Sequence, residues 1–174
     1  MLEIAVPHLA DGESLAHALG DEWPSFFGFA LSFITIGIIW INHHELFKDI
    51  ERTDQTLIVL NLLILLCISF IPFPTAVLAD NLQDSAHRQT ATLFYGGTYT
   101  VTAVFFVLLW LYASSDRGLL DARLSPARIR TRTLRYLPGP LLYSVALALA
   151  LITPWITLAI HVALAVLYLL PLDD

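Results

Sequence analysis

An all-α, polytopic helical membrane protein is the fold class that this sequence predicts, on three observations. Hydrophobic residues make up 57% of the 174 and the mean hydropathy is +0.71, whereas soluble domains carry roughly 45 to 50% apolar residues. The apolar residues fall into runs near the roughly 20 that a helix needs to cross a bilayer, and short polar loops separate them. Lys and Arg collect in particular loops, the pattern that orients membrane helices. The single cysteine, Cys67, lies inside an apolar run, so the chain offers neither a disulfide framework nor a Cys-based zinc site. Cys67 reads as lipid-facing or as core filler. The N-terminal segment has no Lys or Arg ahead of its apolar residues and no small-residue cleavage site, so it does not read as a signal peptide. Insertion is left to the spans themselves.

The first span is expected over residues 24–47. Pro24 suits a first helical turn, where its missing N–H costs nothing. Gly28 and Ser32, four apart, offer a small-residue face for close packing, although small residues are common enough in such helices for the spacing to arise by chance. A charged loop, "ELFKDIERTDQ", follows, and the second span is expected over 56–78, with Pro72 and Pro74 bending or ending its last turns. The polar stretch "ADNLQDSAHRQ" leads to a third span over 90–113. A long basic loop occupies 114–135. The remaining apolar residues are too many for one crossing and are interrupted by Pro154, which gives two short spans, 137–153 and 155–170. Five spans form a single transmembrane domain over 1–174.

Charge sets the expected orientation. The formal net charge is −6, yet eight of the nine basic residues lie in the first and third loops and only Arg88 in the second. The positive-inside rule places loops 45–55 and 114–135 and the C-terminus in the cytoplasm. Residues 1–23, with five acids and no base, then face outward. Arg128, Arg130, Arg132 and Arg135 would suit a nucleic-acid patch in another setting. Beside a membrane they read as topogenic or as contacts to anionic lipid, and no nucleic-acid partner is expected.

The stretch "IIWINHHELF" ends the first span with adjacent histidines. Neighbouring residues on a helix point about 100° apart, so His43 and His44 do not readily share a metal, and the other histidines supply no converging set at metal-binding spacing. No metal and no cofactor is expected. Folding the first two spans as an antiparallel hairpin about residue 50 brings positions whose numbers sum to about 101 to one depth, which sets Trp40 level with Asn61. Asn61 lies within "LIVLNLLILL", where an unpaired amide costs several kcal/mol. Trp40 supplies one indole donor and His43, a turn below, a ring nitrogen for either role. A Trp40, His43 and Asn61 hydrogen-bond network clamping the hairpin is the expectation. The competing reading makes Trp40 an interfacial belt residue and Asn61 half of an unrelated bond. His44 reads as a solvated interfacial residue. His161, near the middle of the last span, is an ionisable group within the membrane, functional by default but equally able to stay neutral and bond a neighbouring helix.

The run from Phe33 to Leu78 resembles the second and third spans of the transmembrane protein 175 family of lysosomal and prokaryotic potassium channels. The matching positions are Trp40, His43, Leu46, Phe47, Thr53, Asp54, Leu60, Asn61, Leu62 and Pro72. The segment from Leu137 onward, with Gly139-Pro140 at its entry and Pro154 at its turn, is similar to that family's last two spans. The resemblance implies a unit of six spans, a homotetramer around a central pore, and a pore lined mainly by a first span that opens with Phe-Ser-Asp and carries a hydrophobic constriction. It implies that Trp40, His43 and Asn61 hold that pore helix. No Phe-Ser-Asp occurs in this sequence; "MLEIAVP" resembles the last turns of the first span, so pore-lining residues are not assigned. The expectation is a start codon placed downstream of the true one, the alternative being a genuinely shortened form, and a chain that conducts weakly, without selectivity, or not at all without the complete first span.

Three function classes follow. A potassium-selective leak channel rests on the resemblance, since the sequence has no carbonyl filter of the Thr-Val-Gly-Tyr-Gly kind. A proton-coupled transporter would want carboxylates deep within spans, where none of the 15 acids lies. A membrane metalloenzyme lacks its ligand set, so no enzymatic activity is expected, and a non-conducting assembly subunit is the remaining alternative. The expected partners are potassium ions, the lipid bilayer of the cell membrane and three further copies of the chain, with Asp11, Glu13, Asp21 and Glu22 around the outer approach.

Overall fold

The computed structural model describes residues 14–115 and 118–170. Asp11 and Glu13 lie outside those residues. Eight helices follow in order among them: α1 (Leu15–Asp21), α2 (Trp23–Lys48), α3 (Gln55–Phe70), α4 (Pro72–Asp80), α5 (Arg88–Ala113), α6 (Pro126–Tyr136), α7 (Pro138–Leu149) and α8 (Pro154–Leu169). No strand occurs among the described residues, only an isolated bridge between Ile50 and Leu120. The protein is an α-helical polytopic membrane protein. Side chains such as Phe33, Leu66, Leu141 and Ile152 stand largely exposed on its surface, an apolar exterior that lipid, not water, solvates.

Local sequence sets the helix limits. Pro24 occupies the first turn of α2 and Lys48 its last, where a cation complements the helix dipole. Asp54 caps α3, its Oδ1 accepting from Leu57 N at 2.8 Å, as short acidic N-caps do. Pro72 and Pro74 donate nothing to the preceding turn. They divide the second expected span into α3 and α4, which together form one kinked apolar rod, Gln55–Asp80. Three helical stretches, Trp23–Lys48, Gln55–Asp80 and Arg88–Ala113, are long and apolar enough to cross a bilayer.

The C-terminal third departs most from the expected boundaries. Part of the stretch expected as loop, 114–135, is helix α6: Ser125 Oγ accepts from Arg128 N at 3.2 Å with Pro126 in the first turn. Leu137 stays in helical space, with φ −56° and ψ −38°, so α6 runs on into α7 with a bend where Pro138 and Pro140 supply no amide protons. Helix α7 has 12 residues and α8 16. At 1.5 Å per residue these are about 18 and 24 Å, short of the roughly 30 Å hydrocarbon thickness. Residues 150–153 form the turn between them. At the end of α7, Ala146 O accepts from Ala150 N at 3.2 Å and also from Thr157 Oγ1 at 2.8 Å, and in the turn beyond it Leu151 O accepts from Gln89 Nε2 at 2.9 Å.

Small residues set the closest approaches. A Cβ on Gly28 would lie 2.9 Å from Ala79 Cβ, and one on Gly139 2.8 Å from Tyr168 Oη. Gly28 and Ser32 thus lie on the buried face of α2, with α4 against it. One core cluster, around Leu46, Leu57, Ile64, Leu109 and Trp110, joins α2, α3 and α5 near the first loop; a second, around Ile71, Leu78, Tyr95 and Tyr99, joins α4 and α5 toward the other end.

Candidate functional site

The hairpin of α2 and α3 carries the polar groups that the sequence places in apolar surroundings. His43 Nε2 donates to Asn61 Oδ1 at 2.7 Å, which assigns the ring proton to Nε2 if the amide oxygen faces it. The bond spans 18 positions and pins the two helices at one depth. Trp40 takes no hydrogen bond there among the described residues. Its side chain is 63% exposed, and its ring lies flat against His44, with centroids 5.3 Å apart and planes 2° from parallel. The expected triad is therefore a His43–Asn61 bond beside a Trp40–His44 stack. The cause is angular: at about 100° per residue, His44 lies about 40° from Trp40 on one side and His43 about 60° on the other. Trp40 and Ile41 on α2 and Ile58, Leu62 and Leu66 on α3 are all exposed apolar side chains of the hairpin.

Asn42, between Ile41 and His43, belongs to the opposite face. Its Nδ2 donates to Ile38 O at 2.9 Å and to Tyr168 O at 2.8 Å, which ties α2 to the end of α8. Arg135 Nη2 reaches the same end, donating to Tyr168 O at 3.0 Å and Leu170 O at 2.7 Å, so open carbonyls at a helix C-terminus gain a cationic donor. Neither residue's role was assigned from sequence. The signal for Asn42 is the one that marks Asn61, an amide inside an apolar run.

Below the hairpin, the first and third loops are locked together. Glu51 N and Arg52 N donate to Leu119 O at 2.9 and 3.1 Å, and Asp121 N to Asp49 O at 3.0 Å; Gly118, with φ +69°, supplies the left-handed turn beside them. Arg132 and Asp49 are both buried, and Arg132 Nε lies 2.9 Å from Asp49 Oδ2 as a close ion pair. Arg132 Nη2 also reaches Glu45 Oε2 at 3.3 Å, and Arg128 Nη2 stands 3.4 Å from Asp49 Oδ1. Burial works against the charge on Arg132, but Tyr136, Asp49 and Glu45 outweigh it and hold the guanidinium pKa above its usual value. Asp54 uses its second oxygen to accept from Tyr112 Oη at 2.6 Å, joining the start of α3 to the end of α5. Three of the four clustered arginines thus hold partners within the chain.

His161 lies on α8, 6% exposed, with Nδ1 2.8 Å from Thr157 O. The rings of Tyr95, Tyr99 and Tyr143 surround it at 5.1 to 5.3 Å between centroids. Its backbone bond is to its own helix and not to a neighbour. Glu22, at the start of α2, accepts from Ser25 Oγ at 2.9 Å. The side chain of Asp21 is outside what the structure describes. No group of three or more His, Cys, Asp or Glu able to hold a metal occurs among the described residues.

These elements recur in known proteins. The family described as the endosomal/lysosomal potassium channel TMEM175 matches residues 1–72. A potassium channel of Streptomyces collinus is 36% identical over 168 residues, which cover 97% of this chain and 82% of that protein. One from Chamaesiphon minutus is 35% identical over 172 residues, 98% of this chain and 84% of that protein. The crystal structure of a lysosomal potassium-selective channel TMEM175 homologue from Chamaesiphon minutus superposes with a TM-score of 0.82 at 34% identity, covering 96% of this chain and 85% of that one. The Bos taurus endosomal/lysosomal proton channel TMEM175 is 41% identical over 111 residues, which are 22% of its length. Identity at this level over nearly the whole chain, with the helices in matching places, makes this protein a member of the TMEM175 family.

Proposed function

We propose that the chain is the subunit of a potassium-selective channel, a homotetramer in the cell membrane with loops 45–55 and 114–135 on the cytoplasmic side. The observation that carries the reading is the superposition on a potassium-selective channel across 96% of the chain, supported by the potassium channels similar to it in sequence over the same length. The bridged first and third loops share one side and hold eight of the nine basic residues, which favours the cytoplasm for that side. On this reading a further helix of the assembled channel packs on the exposed side of the hairpin around Trp40. Asn61 keeps two amide protons and His43 a ring lone pair beside their mutual bond, so the hairpin can hold a further helix by hydrogen bonds. Liposome flux under a potassium gradient, repeated with sodium, tests the proposal: selective potassium efflux supports it, and equal rates for both ions defeat it.

A second reading is favoured by the vertebrate relatives described as proton channels. A pH-sensitive dye inside the same vesicles separates the two, since a proton path dissipates a pH gradient without added potassium.

A further inference from the structure

Between α2, α5, α7 and α8 lies a cavity of about 540 Å³, within the roughly 300 to 1,000 Å³ of small-molecule sites. It is on the face of α2 that bears Thr35, Ile38 and Asn42, away from the Trp40 face of the hairpin. Its walls are mostly aliphatic and aromatic, with Thr35, Asn42 and Thr102 among them, and no Asp, Glu, Lys or Arg lines it. His161 lines it too, and His161 Nε2 is buried without a hydrogen-bond partner among the described residues. Because Nδ1 sits against Thr157 O at 2.8 Å, the neutral ring carries its proton on Nδ1 and presents a lone pair at Nε2. A lone pair buried in this way costs free energy until a donor meets it. The ring of Tyr99 stands edge-on to the imidazole, with centroids 5.3 Å apart. Four lining residues, Phe27, Ile34, Val162 and Val166, are at the same time exposed on α2 and α8, so the cavity opens between those helices onto the apolar exterior of the chain.

We infer that this cavity binds an uncharged long-chain alcohol or other hydroxyl-bearing amphiphile drawn from the bilayer, its hydroxyl donating to His161 Nε2 and its chain lying in the apolar mouth between α2 and α8. A carboxylate or ammonium head is disfavoured, because the cavity offers no counter-charge and a buried unpaired ion is costly. A plain alkane would fill the mouth and leave Nε2 unmet. The assignment stands independently of ion conduction.

The test is photolabelling of the full chain in phosphatidylcholine vesicles with dodecanol bearing a diazirine on its tail, and with the methyl ether of the same probe. Expected are saturable labelling of α2 and α8 peptides at the mouth, displacement by unlabelled dodecanol, and about tenfold weaker labelling by the ether, the loss of one buried hydrogen bond. His161→Leu should bring the alcohol down to the level of the ether. Val162→Trp, which crowds the mouth from an exposed position, should abolish labelling and covers the case in which His161→Leu does not fold, as judged by size-exclusion elution. Equal labelling by alcohol and ether, or labelling that does not saturate, overturns the inference. Displacement by butanol at the same concentrations as dodecanol overturns the bilayer source.

Discussion

Replacing Arg132 with Leu removes the main partner of a carboxylate that is 2% exposed. Among the described residues Asp49 then keeps one cationic side chain, Arg128, at 3.4 Å and 38% exposed. Breaking a buried pair from one side costs about 3 to 5 kcal/mol, because the surviving charge stays in a poorly solvating site. The residual Arg128 contact sets the expectation at the lower end, about 3 kcal/mol. Asp49→Leu should cost a similar amount, since Arg132 is left with Glu45, which is 37% exposed, and with Tyr136. The double variant removes both charges and fills the volume with methyl groups, so it should lie closer to the parent than the sum of the singles, with a coupling of about 2 to 3 kcal/mol. Reversible unfolding in mixed micelles measures all four proteins. Additivity within about 0.5 kcal/mol would show that the two groups do not act as a pair and would refute the argument that they lock the first loop to α6.

A cycle of Asn61→Leu with His43→Leu should show a coupling near the membrane average of about 0.6 kcal/mol and no more than about 1.7, while Trp40→Phe, which keeps a ring over His44, should leave it unchanged; a coupling that vanishes in Trp40→Phe would restore the three-residue network. Gly28→Ala places a methyl 2.9 Å from Ala79 Cβ and should destabilise by about 1 to 3 kcal/mol, whereas Gly37→Ala, which meets nothing within 4 Å, should be neutral or stabilising by up to about 1 kcal/mol; equal effects in the same unfolding assay would contradict the packing of α2 on α4. In a Cys67→Ala background, a cysteine at Ser85 should react with an impermeant reagent on intact cells and one at Ala122 should not, and the opposite pattern would invert the proposed orientation.

The helical class was legible because hydropathy and span length report directly on the solvent, and the bilayer leaves few alternatives. The His43–Asn61 bond was legible for a geometric reason: a short loop fixes the register of an antiparallel hairpin, so depth follows from residue number. Depth is not azimuth, however: Trp40 matches the pair in level, while its ring leans toward His44. The Asp49–Arg132 pair joins residues 83 positions apart through two loops, and no periodicity records such a contact. Helix α6 carries a readable start, Ser125-Pro126 ahead of its arginines, but a run of arginines beside a membrane equally satisfies the positive-inside rule and does not by itself report a helix. The partner of Asn42 was hidden for the opposite reason. A backbone carbonyl at the end of α8 has no side chain to announce it.

The central claim is tested most directly by the reversal potential of the reconstituted protein under a bi-ionic gradient of potassium against sodium. The account predicts a current through a symmetric tetramer whose reversal potential lies well toward the potassium equilibrium value. The physical basis is that the larger ion holds its hydration less strongly and loses less wherever it must shed water to pass. A reversal potential at zero, or no current from a tetramer that has assembled, would contradict the claim that this protein is a potassium-selective channel.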